Sequence, residues 1–401
     1  MENVETWPIR TSGILTKVPG INRLRYLIRT SKIHSILGIP THVRYRHCDL
    51  TSMTIKVGIV GAGNIAKNRH APIFRNNDHA VLTGILDRDN AEGRSVAENL
   101  DIPYRGSIQA LCSNADLVSI CTPPWVHREH TITALEHGCH VITEKPMAMT
   151  TEEAEEMIQV ANENGQMLTV VQNFLFKDAF VEARELLRSG QLGELSRTFS
   201  IQLKKTGRED RHGHEWFEEL PGGLFWDESP HMIYLTNDFI GDMELTSAET
   251  TPRDGEKQPH KTVRAKFENP AKGIDGNLLM LFDSPITEWW FVIMGSEGIV
   301  FIDIFRDTVV QFGKEDEHSP YHVLGVLLSG VGQMLYGGFT TGVSYFRDRV
   351  QSGYTIPQAG FSVQVERTLE ALEKGADPPV TAQEGKNVVG WMEDIARVSG
   401  M

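Results

Sequence analysis

Ile55-Lys-Val-Gly-Ile-Val-Gly-Ala-Gly-Asn-Ile-Ala66 decides how this chain folds. Five of its first six residues, up to Val60, are apolar, β-branched or Gly and suit a buried strand. Gly61-Ala62-Gly63 then turns the chain, and Ile65-Ala66 opens a helix. Gly61 takes a tight turn that a residue with Cβ resists. Gly63 lets a pyrophosphate approach the backbone, Asn64 and Ile65 stand beside it, and Ala66 lets the helix pack close to the strand. The helix N-terminus adds free N–H groups and partial positive charge. Gly-rich turns follow many strands, so G-x-G-x-x-A alone is weak. Here an acid, Asp87, also ends the next strand, and that combination points to a dinucleotide. Asp87 suits the adenosine ribose hydroxyls and repels a 2′-phosphate, which favours NAD. Arg88 beside it is suited to stack on adenine or to meet that phosphate, so NADP stays open.

Outward from this turn, strands and helices alternate. Val81–Asp87, Asp116–Cys121, His140–Thr143 and Met167–Val171 read as strands. Ala91–Leu100, His127–His137 and Thr151–Asn164 read as helices, the last two closed by Gly138 and Gly165. This order predicts an α/β, doubly wound, dinucleotide-binding domain over 54–171. Past 172 the texture changes. After a helix at Asp178–Arg188 come strand-like runs at Leu195–Lys205, Thr262–Phe267, Asn277–Phe282, Trp289–Met294 and Ile299–Asp303, with short turns. They predict an α+β domain over 172–401 with an open, mainly antiparallel sheet. Helical patterns follow at Tyr321–Leu335, Thr341–Gln351, Phe361–Glu373 and Glu384–Val398, the last suited to pack on the first domain.

The formal charge of the 401 residues is -14, unevenly spread. Residues 1–53 carry eight Lys/Arg against three Asp/Glu, a net +5, which leaves -19 for the rest. So acidic a body argues against a nucleic-acid partner. No run of 18 apolar residues occurs, so no membrane helix is expected. The four cysteines form no C-x-x-C pair, which fits a reducing cytoplasm and no structural metal. Residues 1–53 lack a clear period and are expected to lie outside the fold. A targeting peptide is poorly supported, because Glu2 and Glu5 come early, and Met53 is a natural start for the strand that follows.

Glu144-Lys145-Pro146 stands directly after the strand His140–Thr143. Ligands of a doubly wound sheet sit at the carboxyl ends of its strands, so Lys145 falls where a nicotinamide belongs. With Gly61-Ala-Gly63-x-x-Ala66 and Asp87 come Cys121-Thr-Pro-Pro-x-x-His127 and Ala134-Leu-Glu-His-Gly-Cys-His-Val-Ile-Thr-Glu-Lys-Pro146. Gly222-Gly-Leu-Phe-Trp-Asp227-x-x-x-His231 completes the set. In that order these motifs resemble the Gfo/Idh/MocA family of NAD(P)-dependent oxidoreductases, named for glucose-fructose oxidoreductase and inositol dehydrogenase, over roughly 54–401. The resemblance implies a dinucleotide domain joined to an α+β substrate domain that often forms oligomer contacts. It implies cofactor contacts from Thr122, Pro123, His127, Glu144 and Lys145, and a catalytic trio of Lys145, Asp227 and His231. Two positions depart from the family pattern. Gln172-Asn-Phe-Leu-Phe176 stands where an Asn-x-Arg-Phe-like run is usual, and Tyr234 stands where an Asp often follows the histidine. Both bear on the substrate rather than the fold.

Asp227 and His231 are four apart and share one face of a helix. Pro230 is tolerated only in a first turn, so that helix is expected to begin near Asp227–Ser229. A hydroxyl that loses a hydride must also lose a proton, and histidine is the usual base near neutral pH. A lysine cation suits the developing alkoxide, and a carboxylate suits substrate or histidine orientation. His212, His214 and Glu215, with His231 and Asp227, have the donor types of a zinc site. Histidines two apart in a polar loop are more often solvent or substrate contacts, and no metal is expected.

The expected activity is hydride transfer between NAD(P) and a hydroxyl or ketone of a sugar, polyol or related small polar molecule, in a homodimer or homotetramer. Two alternatives stay open: a tightly held NAD used as a redox relay, and a catalytically silent cofactor-binding sensor.

Overall fold

The computed structural model describes residues 54–205, 220–252, 260–314 and 359–401, with scattered positions between 328 and 343. Residues 1–53, the loop holding His212, His214 and Glu215, and nearly all of the helices expected at 321–335 and 341–351 lie outside the described residues.

The first domain is built on β1 (Ile55–Val60), β2 (Ala80–Leu86), β3 (Leu117–Ile120), β4 (His140–Thr143) and β5 (Leu168–Val170). They form one parallel sheet in the order β2-β1-β3-β4-β5. β3 and β5 are buried at every position, as apolar strands covered on both faces must be. The Gly61–Ala66 turn leads into a π-helical turn, Ala66–His70, and then the short helix α1, Ala71–Arg75. Pro72 has no N–H to give to Asn68, and Ala71 N–H instead reaches Ala66 O. Further helices are α2 (Asn90–Leu100), α3 (Ile108–Cys112), α4 (His127–Glu136) and α5 (Thr151–Asn164). Asp89 caps α2 and Thr150 caps α5, each by accepting from main-chain N–H groups of the first turn. Gly165, at φ 64°, closes α5 in the left-handed region.

The second domain follows α6 (Asp178–Arg188). Its strands are β6 (Leu195–Leu203), β7 (Glu244–Pro252), β8 (His260–Asn269), β9 (Ile274–Leu281), β10 (Glu288–Gly295), β11 (Gly298–Asp303) and β12 (Thr308–Gly313). They lie in the order β12-β11-β10-β6-β9-β8-β7, and only the central β6–β9 pair is parallel. The edge strands β7 and β12 were not expected from sequence. β7 reads Glu-Leu-Thr-Ser-Ala-Glu-Thr-Thr-Pro, with Ala248 its one buried residue, and lacks the alternation that marks a half-buried strand.

Helix α7 (Leu224–Ile240) covers the inner face of this sheet. It packs close because position 276 on β9 is glycine: a Cβ there would stand 2.5 Å from Thr236 Cγ2. α7 begins three residues before the expected start, at the Gly223 N-cap, and holds Pro230 inside it. Pro230 has no N–H to give to Trp226 O, so one bond of the helix ladder is missing beside Asp227.

The carboxyl-terminal helices return to the first domain. Phe361, Val365 and Leu369 of α8 (Ala359–Lys374) join Ile55, Val57 and Phe74 in one core. α9 (Ala382–Ser399) lies between the domains. Val389 joins the first core, whereas Val388, Met392 and Ile395 join the second. α8 thus packs against the first sheet although it follows the second in the chain.

Candidate active site

The turn after β1 has the geometry a dinucleotide requires. Gly61 has φ 99°, and a Cβ there would fall 2.8 Å from Cys121 O. Gly63 is exposed, and a Cβ there would meet nothing within 4 Å, which leaves room for a phosphate group. Ala66 is fully buried under the turn, Asn64 is exposed and Ile65 half-buried. Asp87 is held at the end of β2 by two amides: Ala62 N–H donates to its Oδ2 at 2.6 Å and Asp89 N–H to its Oδ1 at 2.7 Å. A carboxylate oxygen accepts more than one hydrogen bond, so Asp87 keeps acceptor capacity for ribose hydroxyls. Arg88 beside it is exposed. These residues fit an NAD(P) cofactor.

At the end of β3, Thr122 is half-buried and Pro123 exposed. His127 opens α4. It is fully buried, with Nδ1 2.9 Å from Pro146 O and Nε2 2.7 Å from Thr122 O. It ties two loops together. Glu144, 8% exposed, is also turned inward. Its Oε1 lies 2.8 Å from His70 Nε2, and its Oε2 accepts Lys145 N–H at 3.2 Å. His70 Nδ1 meets Ser119 Oγ at 2.7 Å. Burial works against a charge on His70, but Cys121 and the Glu144 carboxylate outweigh it and hold its pKa up at about 10. His70 was not singled out by sequence. Its signal is its place one turn after Ala66, on the helix face that meets β3.

The two domains meet at Lys145. Its Nζ donates to Asp227 Oδ1 at 2.6 Å and to the Asp227 main-chain carbonyl at 2.7 Å. The peptide joining Lys145 to Pro146 is cis. Burial raises the Asp227 carboxyl pKa, but the Lys145 and Lys204 charges outweigh this and leave it below the ordinary value. One turn along α7 stands His231, 9% exposed. Its ring stacks on Phe174 with centroids 4.5 Å apart and planes at 17°, and it makes a T-shaped contact with Trp289 at 5.5 Å between centroids. Nδ1 is 2.7 Å from Tyr234 Oη. Burial first, then the Lys145, Arg69 and Lys204 charges, push its pKa well below the ordinary value, so the imidazole is neutral at physiological pH.

Several residues around this cleft were missed or weighed only as departures. Phe174 comes from the Gln172–Phe176 run and forms the stacking wall for His231. Lys177 Nζ stands 5.3 Å from the Phe174 ring centroid and donates to Ile304 O. Glu228 binds Lys204 and accepts from Gln202 Nε2. No period of the sequence brings 174, 204 and 231 together, since the contacts cross two domains' connections.

Residues 55–172 match the family described as "Oxidoreductase family, NAD-binding Rossmann fold", and residues 180–301 match the "GFO/IDH/MocA C-terminal domain". The chain belongs to the Gfo/Idh/MocA oxidoreductases. It is an NAD(P)-dependent oxidoreductase of that family, with the two-domain fold the family implies. D-glucoside 3-dehydrogenase of Escherichia coli (strain K12) is 34% identical over 161 residues, which are 39% of this chain and 46% of that protein. The chain thus matches less than half of that relative's length. Scyllo-inositol 2-dehydrogenase (NADP(+)) IolW of Bacillus subtilis (strain 168) is 24% identical over 349 residues, 85% of this chain and 92% of that protein. Among solved structures, the WlbA dehydrogenase from Bordetella pertussis in complex with NADH and UDP-GlcNAcA shares the fold, with a TM-score of 0.72 and 20% identity. That likeness covers 88% of this chain and 97% of that one. Among the described residues, no helix is long and apolar enough to cross a membrane.

Proposed function

We propose that this Gfo/Idh/MocA protein exchanges a hydride with a ring hydroxyl or ketone of a sugar or polyol, at a site built from Lys145, Asp227 and His231. The observation that carries the site assignment is the reach of Lys145, from the end of β4, across the cleft to Asp227 on α7 at 2.6 Å, one turn from His231. Relatives named for glucosides and inositols support a substrate of that class.

The nicotinamide, when bound, supplies or takes the hydride, and the chain supplies position and electrostatics. Lys145 spends two of its three N–H donors on Asp227 and keeps one for the reacting oxygen. A cation there favours alkoxide character in a site that excludes water. Asp227 fixes the ammonium, and His231 meets the same oxygen from the second domain. Asp87 at the ribose position supports NAD over NADP.

We also read the outer face of the second sheet as an interface between copies of the chain. Ile201, Leu203, Leu279, Trp290, Val292 and Phe301 lie on it half-exposed, a large apolar patch of the kind that needs cover.

The test is a substrate screen of sugars, inositols and nucleotide sugars with each cofactor. Turnover coupled to NAD reduction or NADH oxidation is expected. Cofactor binding with no turnover on any of them would instead favour a sensor.

A further inference from the structure

We propose that Tyr234 holds His231 in the Nε2–H tautomer, so that the resting histidine offers the cleft a proton rather than a lone pair. The inference rests on the site assignment above and gives His231 a role different from the base expected from sequence. Tyr234 is 2% exposed, and its hydroxyl oxygen accepts Phe174 N–H at 3.2 Å. Its other hydrogen-bond partner among the described residues is His231 Nδ1, at 2.7 Å. A phenol has one proton to give. If Nδ1 is bare, the Tyr234 O–H donates to it, and Nδ1, the Tyr234 hydroxyl and the Phe174 N–H are all satisfied. If Nδ1 carries the proton, Tyr234 Oη accepts twice, and its own proton is left buried with no acceptor among the described residues. Such an unmade bond is disfavoured in a buried site. A main-chain N–H can only donate, so the Phe174 amide cannot reverse its role. Among the described residues Nε2 has no protein partner, so its bonding capacity is left for a ligand.

The site then presents two donors to one oxygen: the spare N–H of Lys145 and the Nε2–H of His231. Two donors and no acceptor suit a carbonyl oxygen, which only accepts. When the carbonyl carbon of a bound ketone gains a hydride, its oxygen becomes an alkoxide held by both groups. Lys145 Nζ gives that oxygen a proton, its N–H bond breaking as the O–H bond forms, and is left as an amine beside Asp227. His231 remains neutral throughout. The resting protonation states are therefore those for ketone reduction. Oxidation has to begin from a Lys145 that has first lost its proton.

The test needs no substrate. The full chain is labelled with ¹⁵N-histidine, and the His231 signals are assigned by their loss in His231→Gln. A proton-bearing Nε2 and a bare Nδ1, in an excess of about tenfold or more, are expected. A proton-bearing Nδ1, or two equally populated tautomers, would overturn the inference. Tyr234→Phe keeps the ring and removes the hydroxyl, so the tautomer ratio should move toward even; an unchanged ratio would remove Tyr234 from the account. The wild-type spectrum decides the tautomer even if that variant fails to fold. Turnover that survives in Lys145→Ala would sink the site assignment and leave the tautomer result standing. A reversed tautomer would do the opposite.

Discussion

At the scale of single residues, the nucleotide turn is the most exposed to test. Gly61 combines a positive φ with a close approach to Cys121 O, so Gly61→Ala meets both a strained backbone and a clash. It should weaken NAD affinity by about 1–3 kcal/mol, the usual cost of one such strained residue, while the thermal melt of the second domain's core changes little. Isothermal titration with NAD measures the first and calorimetry the second; unchanged affinity would contradict the reading. The same titration with NADP checks Asp87, since tighter NADP binding would reverse the preference. These residues were legible because a turn, a glycine and a strand-ending acid are local patterns. Phe174 and Tyr234 were visible only as departures from a family pattern. What Phe174 does depends on a stack with His231 across 57 residues of chain, which leaves no period in the sequence, whereas Tyr234 lies three residues from His231 on one helix and only the direction of its hydrogen bond was hidden.

At the scale of elements, the join between the first helical turn and the β4 loop is electrostatic. His70 and Glu144 form a buried pair directly behind Lys145. The folded pKa of His70 is raised to about 10, above the ordinary 6.5, so its contribution is fully present below 6.5 and lost as pH rises through 10. Melting temperatures of wild type and His70→Gln should therefore converge between those limits, with wild type the more stable at the low end. Parallel curves would contradict a charged pair. The elements themselves were largely legible, most boundaries of the first domain falling within a residue or two. The exceptions have local causes. β7 is a polar edge strand with no face to bury. The start of α7 was placed late because Pro230 reads as a first-turn residue, whereas packing of a largely buried helix against the sheet holds it in the second turn.

At the scale of the molecule, the half-exposed apolar face of the second sheet predicts self-association. Trp290→Lys on β10 places a charge in the centre of that face, beside Ile201 and Phe301. Light scattering should show an oligomer for the wild type and a smaller species for the variant, with NAD affinity retained in both. A monomeric wild type at micromolar concentration would contradict the interface. A chain starting at Met53 should bind NAD as the full chain does, since Ile55 opens the first sheet and the family match begins at residue 55. Loss of binding in it would show that the preceding residues matter. The central claim, however, is that one oxygen is gripped from both domains. It is tested most directly by turnover and NAD affinity in Lys145→Ala, His231→Ala and the double variant. Each single change should cost about 10²–10⁴-fold in turnover, the two should cost less together than their product, and NAD affinity should hold. Near-normal turnover in either single variant, or losses that track cofactor affinity, would contradict the account.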